Sequence, residues 1–315
     1  MGNRDSIRDV VVIGGGPSGS TAALYAARYG LNVLEIEQGM PGGQISSTDI
    51  VDNYPGVLSI SGPELGARMS QQAEESGAEL VYGDVSAIVP TSDGFLLNTS
   101  KGDIKTKTVI VSTGAAPRMA GFAGEEEFRG RGVSYCATCD AMFFRNKDVF
   151  VVGGGNSAVE EALYLARVVS SVTLVVRKGY LRASKNLVEK LLALDNVTIL
   201  FDTKVARVSA ESSLLDTIEL QSTITGAVEI RRFEPGTFGV FVFVGADARC
   251  ELVKDFVEIA SDGSAVTDEN MATDTPGLFC AGDMRRKSLR QVVTAAADGA
   301  IAARSAFDFI EGIAE

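Results

Sequence analysis

Histidine is absent from the 315-residue chain, and its absence excludes several classes of function. Without imidazole groups there is no Ser-His-Asp triad, no Cys-His protease pair and no metal site built on histidine. Any proton transfer must fall to a carboxyl, a thiol, a lysine, a tyrosine or water. The hydrolases that depend on histidine are therefore excluded, together with most metal enzymes.

Cysteine is scarce too, and the whole sequence contains only Cys136, Cys139, Cys250 and Cys280. Only the first two are closely spaced, so the cysteines do not build a disulfide framework. A single CxxC supplies two metal ligands, whereas structural zinc requires four, and the other cysteines are too scattered to complete the set. We therefore expect no metal site, with a structural zinc site at the CxxC as the alternative.

Basic residues are in deficit, with 29 Lys and Arg against 41 Asp and Glu. The resulting net charge of −12 repels nucleic acid. The sequence also lacks the run of about 18 apolar residues that a membrane span requires. A buried-strand pattern begins at Asp9, which leaves no room for a signal peptide. We expect a cytoplasmic protein that binds neither nucleic acid nor membrane.

The length predicts about two domains at roughly 150 residues each, and the sequence contains two βαβ patterns. The first has a buried strand, Val10–Ile13, the turn Gly14-x-Gly16-x-x-Gly19, a helix over Thr21–Tyr29 and a strand over Asn32–Glu37. Such glycines let the backbone approach a pyrophosphate, whose charge the helix N-terminus receives. Glu37 ends the second strand, where an acidic side chain bonds an adenosine ribose. The pattern predicts a dinucleotide-binding site, and a plain glycine turn is the alternative.

The second pattern has strands over Asp148–Val152 and Val172–Val176, with the turn Gly153-x-Gly155-x-x-Ala158 and a helix over Val159–Val169 between them. Cations follow its second strand in place of an acid, namely Arg177, Lys178 and Arg182. Cations at this place suit a ribose 2′-phosphate and predict NADP rather than NAD, with a solvated basic turn as the alternative.

The last part of the chain does not look self-contained, so we expect it to complete the first domain. The predicted fold is α/β, with two Rossmann-like three-layer dinucleotide-binding domains, the second inserted into the first. The predicted boundaries are 1–117 with 246–315 for the discontinuous domain and 118–245 for the inserted one.

The inserted domain carries the motif Cys136-Ala137-Thr138-Cys139-Asp140. A CxxC holds two sulfurs close enough to form a disulfide and tends to lower the pKa of one thiol, which then attacks as a thiolate. Asp140 follows directly and is available for the proton that histidine cannot handle here. The motif predicts a redox-active pair, and two buried structural thiols are the alternative.

Several motifs in this order resemble those of the low-molecular-weight, bacterial-type thioredoxin reductases. The resemblance runs from Asp9 to about Phe309. Besides the two glycine turns and the CxxC, it rests on Gly42-Gly43-Gln44, Asn53-Tyr54-Pro55-Gly56, Thr113-Gly114-Ala115-Ala116-Pro117-Arg118, Ala281-Gly282-Asp283 and Arg290-Gln291.

The resemblance implies an FAD domain, an inserted NADPH domain, a homodimer and thioredoxin or a thioredoxin-like protein as partner. It implies that Cys139 exchanges electrons with the flavin, that Cys136 attacks the partner's disulfide and that Asp140 is the acid. The family rotates the inserted domain, so hinges are expected near 115–118 and 245–248. The residues expected to bind FAD are Gly14, Gly16, Pro17, Ser18, Gly19, Glu37, Gln38, Gly43, Gln44, Thr48, Asn53, Val85, Thr113, Gly114, Gly282, Asp283, Arg290, Gln291 and Val292. The residues expected to bind NADPH are Gly153, Gly155, Asn156, Ser157, Ala158, Arg177, Lys178 and Arg182.

The chain departs from the family at a few positions. Val176 stands where the family usually has histidine before two arginines, which leaves the choice between NADPH and NADH open. The redox box often continues with glycine but here continues with Ala141, then Met142-Phe143-Phe144, which are either core or a docking patch for thioredoxin. Cys280, where the family commonly has alanine, is expected to be a small buried filler.

NADPH-dependent reduction of a thioredoxin-like protein is the leading hypothesis. The alternative within the same class is a flavin disulfide oxidoreductase that takes electrons from ferredoxin or oxidises small dithiols with oxygen. The intact second glycine turn and the cations after it argue against ferredoxin, which needs no nucleotide pocket. The alternative from another class is a non-catalytic flavoprotein whose CxxC is a structural metal site.

Overall fold

The computed structural model describes residues 7–48 and 50–313. Within these residues the chain divides into two compact units. The first unit joins the described parts of Met1–Ala116 and Asp247–Glu315, and the second is Pro117–Ala246. Because the chain leaves the first unit and later returns to it, the second unit is an insertion into the first.

Strands and helices alternate at the start of each βαβ part, and runs of consecutive strands follow in both units. The described strands are β1 (Arg8–Ile13), β2 (Val33–Glu37), β3 (Glu79–Tyr82), β4 (Val85–Thr91), β5 (Gly94–Thr99), β6 (Ile104–Val111), β7 (Ala115–Pro117), β8 (Val133–Ser134), β9 (Asp148–Val152), β10 (Ser171–Val175), β11 (Val197–Leu200), β12 (Thr203–Ser209), β13 (Thr217–Ser222), β14 (Val228–Arg232), β15 (Phe238–Val242), β16 (Ala246–Ala248) and β17 (Leu278–Cys280). The described α-helices are α1 (Pro17–Arg28), α2 (Gly62–Glu75), α3 (Ala137–Asp140), α4 (Asn156–Leu165), α5 (Lys185–Leu192) and α6 (Val292–Glu311).

The first unit is built on a mixed sheet with the strand order β3-β2-β1-β6-β5-β4, and β17 lies beside β6. Strands β3, β2, β1, β6 and β17 are parallel, whereas β4 and β5 add an antiparallel extension. Strand β1 is apolar and buried from Val10 to Ile13, where both faces are covered. Val10 and Val12 belong to a cluster with the alanines of α1 and α6, and Val11 belongs to a second cluster with residues such as Val253.

The second unit is built on a parallel sheet with the strand order β11-β10-β9-β15-β8. One face packs on α4 and α5, where Ala162 and Leu191 join the core. The other face packs on the antiparallel sheet β12-β13-β14 through residues such as Ile218. Strands β7 and β16 form a separate two-stranded sheet.

The predicted α/β fold with two Rossmann-like parts is confirmed, and the elements differ mainly at helix ends. Helices α1 and α4 begin at Pro17 and Asn156, four and three residues before their predicted starts at Thr21 and Val159. The glycine turns therefore pass directly into a first helical turn, as Pro17 with its fixed φ favours in α1. Helix α5 and the antiparallel sheet β12-β13-β14 had not been predicted. In the described part of the chain, no helix combines the length and apolar character that a membrane crossing needs.

Candidate functional site

Cys136 and Cys139 form a disulfide across the four-residue helix α3. Both cysteines are half-buried, and the backbone amide of Cys139 donates to the sulfur of Cys136 at 3.2 Å. Ala137, between them, is fully buried in the same cluster as Val149 and Val151 of β9. The sheet therefore holds the segment that carries the redox pair, while both cysteines stay only half-buried.

Asp140 is held against this pair by Ser134 at the end of β8. The Ser134 hydroxyl donates to Asp140 Oδ2 at 2.6 Å, and the backbone amide of Cys136 donates to the Ser134 hydroxyl oxygen at 3.1 Å. A carboxyl, a hydroxyl and the backbone of a redox cysteine thus form one connected group. Ser134 is not among the residues predicted from the sequence, although it lies only two residues before the CxxC.

The first glycine turn, Gly14–Gly19, joins β1 to α1 and is held by Glu37. The carboxylate of Glu37 accepts the backbone amides of Gly15 at 2.5 Å and Gly39 at 2.8 Å. A Cβ on Gly19 would overlap with the carbonyl of Gly14, so the close packing of the helix on the strand requires glycine at this position. Gly16 has no such explanation, since its φ is −76° and a Cβ there would lie 4.0 Å from the nearest atoms. The open space at Gly16 suits a ligand that approaches the backbone.

A second turn, Gly42-Gly43-Gln44, lies on the first. The amide of Gly42 donates to the carbonyl of Gly15 at 2.8 Å, and its φ of +103° favours glycine. Thr48, at the end of this segment, accepts the amide of Gly62 at 2.9 Å through its carbonyl. The structure therefore brings two predicted flavin-binding segments together.

Other predicted flavin-binding residues meet in pairs. Asn53 donates to the side chain of Gln291 at 3.1 Å, and Arg290 donates to the carbonyl of Asp283 at 3.2 Å. Val292 is the first residue of α6. Gln38 donates to Asp84, the neighbour of Val85, at 2.5 Å. Thr113 donates to the carbonyl of Arg249 at 2.6 Å, and the amide of Arg249 donates to the carbonyl of Gly114.

Two buried oxygens in this region have no hydrogen-bond partner in the described part of the chain: Ser18 Oγ and Asp283 Oδ1. The two turns that carry them touch, because a Cβ on Gly282 would lie 2.8 Å from Cβ of Ser18. Burial raises the pKa of the Asp283 carboxyl. Unpartnered buried polar atoms are costly in native proteins and here indicate a polar ligand that completes them. A flavin dinucleotide, with a diphosphate and sugar-alcohol hydroxyls, fits this chemistry.

Asp298 of α6 fixes the turn that carries Asp283. Its buried carboxylate accepts the amide of Gly282 at 3.1 Å and pairs with Lys287 at 2.7 Å and Arg285 at 3.3 Å. Because a buried carboxylate needs such partners, this cluster binds the turn tightly to the helix. None of its charged side chains was predicted from the sequence as part of a site.

The second glycine turn, Gly153–Ala158, joins β9 to α4. Gly153 has a φ of +149° and a Cβ there would overlap with the carbonyl of Phe243, so the fold requires this glycine. A Cβ on Gly155 would meet nothing within 4 Å, as expected where a ligand approaches the backbone. Ser157 is exposed and Ala158 is fully buried against the sheet.

The predicted basic turn lies over this glycine turn. The amide of Arg182 donates to Gly154 at 2.7 Å, and the amide of Ser184 donates to the side chain of Asn156 at 2.8 Å. The side chains of Arg177, Lys178 and Arg182 are exposed. A cavity of about 420 Å³ adjoins the turn and is lined by Gly179, Tyr180, Leu181, Ala183, Lys185, Val188 and Phe201.

An acidic residue, Asp202, lies beside this basic turn. Its amide donates to Lys178 at 3.4 Å, and a Cβ on Gly179 would lie 3.2 Å from its carboxylate. Asp202 has a φ of +48°, a conformation that Asp and Asn tolerate better than other side chains. Val176, in place of the family's histidine, is buried against Gly154.

The residues after the redox box divide between core and surface. Phe144 packs edge-on against Phe241, with ring centroids 5.2 Å apart, whereas Met142 and Phe143 are 53% and 50% exposed. Phe144 is therefore a core residue, whereas the docking role of the exposed Met142 and Phe143 stays a prediction. Cys280 is fully buried, as expected of a filler, and Cys250 is buried in the same cluster. Burial raises the pKa of both thiols.

Known proteins similar to this chain match it along nearly its whole length. The family model described as pyridine nucleotide-disulphide oxidoreductase matches residues 8–299. The thioredoxin reductase of Peptoclostridium litorale is 44% identical over 310 residues, 98% of each protein. That of Bacillus subtilis (strain 168) is 41% identical over 316 residues, 99% of this chain and 98% of the relative. The crystal structure of thioredoxin reductase from Streptococcus pyogenes MGAS5005 is 43% identical, with a TM-score of 0.90 over 98% of this chain and 100% of that one.

Proposed function

Because the chain belongs to the pyridine nucleotide-disulphide oxidoreductases, and within them to the thioredoxin reductases, we propose that it uses NADPH and FAD to reduce thioredoxin or a thioredoxin-like protein. The observation that carries the proposal is the half-buried Cys136–Cys139 disulfide, placed just before β9, the strand that leads into the second glycine turn. Such a pair takes up two electrons as it becomes two thiols and returns them by exchange with another disulfide.

FAD belongs to the first unit in this proposal. Ser18 supplies a hydroxyl donor for a diphosphate oxygen, and Asp283 supplies a carboxyl for a hydroxyl of the ligand. The open space at Gly16 lets the ligand approach the backbone there. When bound, the flavin carries two electrons from the nicotinamide to the disulfide. The other residues of this unit that were predicted to bind FAD, from Glu37 to Val292, belong to the segments around these atoms.

NADPH belongs to the second unit. The diphosphate approaches the backbone at Gly155, beside the start of α4. The exposed Arg177, Lys178 and Arg182 bind the 2′-phosphate, which NADH lacks. In this proposal the FAD domain is 1–117 with 246–315 and the NADPH domain is 118–245, and each domain holds its own set of predicted site residues.

The partner is reduced by thiol–disulfide exchange. The thiolate of Cys136 attacks one sulfur of the partner's disulfide, which forms a mixed disulfide and releases the other partner sulfur as a thiolate. The thiolate of Cys139 then attacks Cys136, which restores the internal disulfide and releases the second partner sulfur. Asp140, held by Ser134, passes the proton between the cysteine sulfur and the leaving thiolate.

The exposed Met142 and Phe143 follow α3 directly and are the apolar surface on which the partner docks. In the sequence they lie six and seven residues after Cys136, whose sulfur makes the mixed disulfide. We assign the protein to the cytoplasm and expect it to act as a homodimer, as is typical of the family.

Anaerobic stopped-flow mixing of the purified protein with NADPH tests the electron donor. Bleaching of the flavin absorbance by NADPH, with slower bleaching by NADH, supports the proposal, and no bleaching by either nucleotide overturns it. Consumption of NADPH that depends on oxidised thioredoxin supports the acceptor. Oxygen consumption that depends on a small dithiol and proceeds without NADPH would instead identify a dithiol oxidase. Colourless protein with stoichiometric zinc would identify a structural metal site.

A further inference from the structure

Glu35 is a buried carboxyl that none of the proposed steps uses. It lies in the middle of β2, and only 1% of its surface is exposed. An acidic side chain is rarely this buried unless it has a partner. Its partner is Ser20 of α1, whose hydroxyl lies 3.0 Å from Glu35 Oε1.

Ser20 connects Glu35 to both predicted flavin-binding turns. The same hydroxyl lies 3.4 Å from the carbonyl oxygen of Gly15, which also accepts the amide of Gly42 at 2.8 Å. The chain of contacts therefore runs from Glu35 through Ser20 to Gly15 in the first turn and Gly42 in the second. A Cβ on Gly15 would lie 3.0 Å from the Glu35 carboxylate, so the carboxyl also packs directly under the turn.

The protonation state of Glu35 decides how many of these hydrogen bonds form. A serine hydroxyl has one proton to donate. When Glu35 is neutral it donates to Ser20, and Ser20 is then able to donate to the carbonyl of Gly15. When Glu35 is ionised it accepts the proton of Ser20, and Gly15 loses that donor. Only the neutral acid completes the chain.

The groups around Glu35 favour the neutral acid. Burial raises its pKa to about 7, the Ser20 hydrogen bond opposes the shift, and the charges of Glu37 and Glu74 add to it. Glu37 lies on the same strand and Glu74 on α2, while the strand neighbours in register are Val12 of β1 and Leu80 of β3. The charged groups that act on Glu35 in the described part of the chain are thus both acidic.

We propose that Glu35 is a positioning residue for the diphosphate end of the flavin: through Ser20 it holds the carbonyl of Gly15, and with it the turn at Gly42, in the shape that receives the ligand. This inference rests on the FAD site proposed for the first unit. It follows that FAD binding weakens as the pH rises through about 7. Ionisation of Glu35 removes the hydrogen bond from Ser20 to Gly15 and adds a negative charge beneath a diphosphate.

The experiment measures the dissociation constant of FAD from the holoenzyme, by the fluorescence of released flavin, between about pH 5.5 and 8.5. For the natural sequence we expect the constant to rise with pH by about tenfold or more. Glu35→Gln, which mimics the neutral acid, should bind FAD tightly at all pH values. Glu74→Gln is the matched control, because it removes a nearby acidic charge and leaves the Ser20 contact, and it should keep the pH dependence.

A Glu35→Gln variant with the same pH dependence as the natural sequence would overturn the inference. Ser20→Ala gives a second test that does not alter the carboxyl: it should weaken FAD binding at low pH and reduce the pH dependence. FAD binding by Ser20→Ala that equals that of the natural sequence at every pH also overturns the inference. Bleaching by NADPH, measured on the same protein, reports the proposed function separately, so either can fail alone.

Discussion

The hydroxyl of Ser134 bridges the carboxylate of Asp140 and the backbone amide of Cys136, at 2.6 and 3.1 Å. The carboxyl is therefore oriented by the strand that ends at Ser134 and by the disulfide loop itself. Because no histidine exists in the chain, we propose this oriented carboxyl as the group that moves a proton at the redox pair.

Asp140→Asn should slow the reduction of thioredoxin on the order of 10²-fold, since an amide does not carry the proton. Bleaching of the flavin by NADPH should be unchanged, because that step precedes the proton transfer. Ser134→Ala is the milder variant, because it keeps the Asp140 carboxyl and removes only the hydroxyl that orients it. It should lose less activity. Equal thioredoxin reduction by Asp140→Asn and the natural sequence would contradict the role of Asp140.

Cys139→Ser should abolish the reduction of thioredoxin and leave flavin reduction by NADPH intact. The retained Cys136 still attacks the partner, but nothing then resolves the mixed disulfide. The adduct should be visible by mass spectrometry and should release the partner on treatment with a reductant. Cys136→Ser is the control that forms no such adduct, and loss of flavin reduction in the Cys139→Ser variant is the outcome that contradicts the assigned roles.

Gly155→Ala should raise the KM for NADPH by about tenfold or more, because the new methyl group occupies space that the fold leaves open for the ligand. Its free energy of unfolding should change by less than about 0.5 kcal/mol. Gly153→Ala is the matched control on the same turn, and its overlap with the carbonyl of Phe243 should cost roughly 2 kcal/mol of stability. A Gly155→Ala variant with unchanged KM would show that the open space is not the nucleotide site.

Asp202→Asn should tighten NADPH binding by about fivefold, because it removes a negative charge near the cations proposed to hold the 2′-phosphate. Asparagine also tolerates the left-handed backbone at this position. The dissociation constant of NADH, which lacks the 2′-phosphate, should stay the same, and isothermal titration measures both. Arg182→Gln should act in the opposite direction, again on NADPH only. An equal change for both nucleotides would exclude Asp202 as a determinant of specificity.

The parts of the structure that the sequence predicted well depend on local patterns. The apolar run Val10–Ile13 predicts a strand covered on both faces, and the glycine turn after it predicts the start of a helix. The same argument holds at Asp148–Val152, where the predicted and observed strands coincide. The CxxC predicts a redox-active pair, with two structural thiols or a zinc site as alternatives, and the disulfide is present.

The parts that escaped prediction depend on contacts between distant segments. Asp298 meets Lys287 and Gly282 only because α6 packs against the end of β17, and no periodicity in the sequence indicates this. Glu35 interrupts an apolar strand, and its partner Ser20 comes from another element. Asp202 approaches the basic turn through strand pairing. Each is a polar residue whose partner is chosen by the tertiary fold, which local propensity does not encode.

Cys250 and Cys280, buried with raised pKa values in the core of the first unit, provide an internal standard for counting thiols. An alkylating reagent added to the folded, reduced protein should label Cys136 and Cys139 quickly, and the buried pair only after unfolding. Mass spectrometry of one sample therefore reports two quantities at once. Labelling of Cys136 and Cys139 gives the oxidation state of the redox pair. Labelling of Cys250 and Cys280 gives the fraction of molecules that has unfolded.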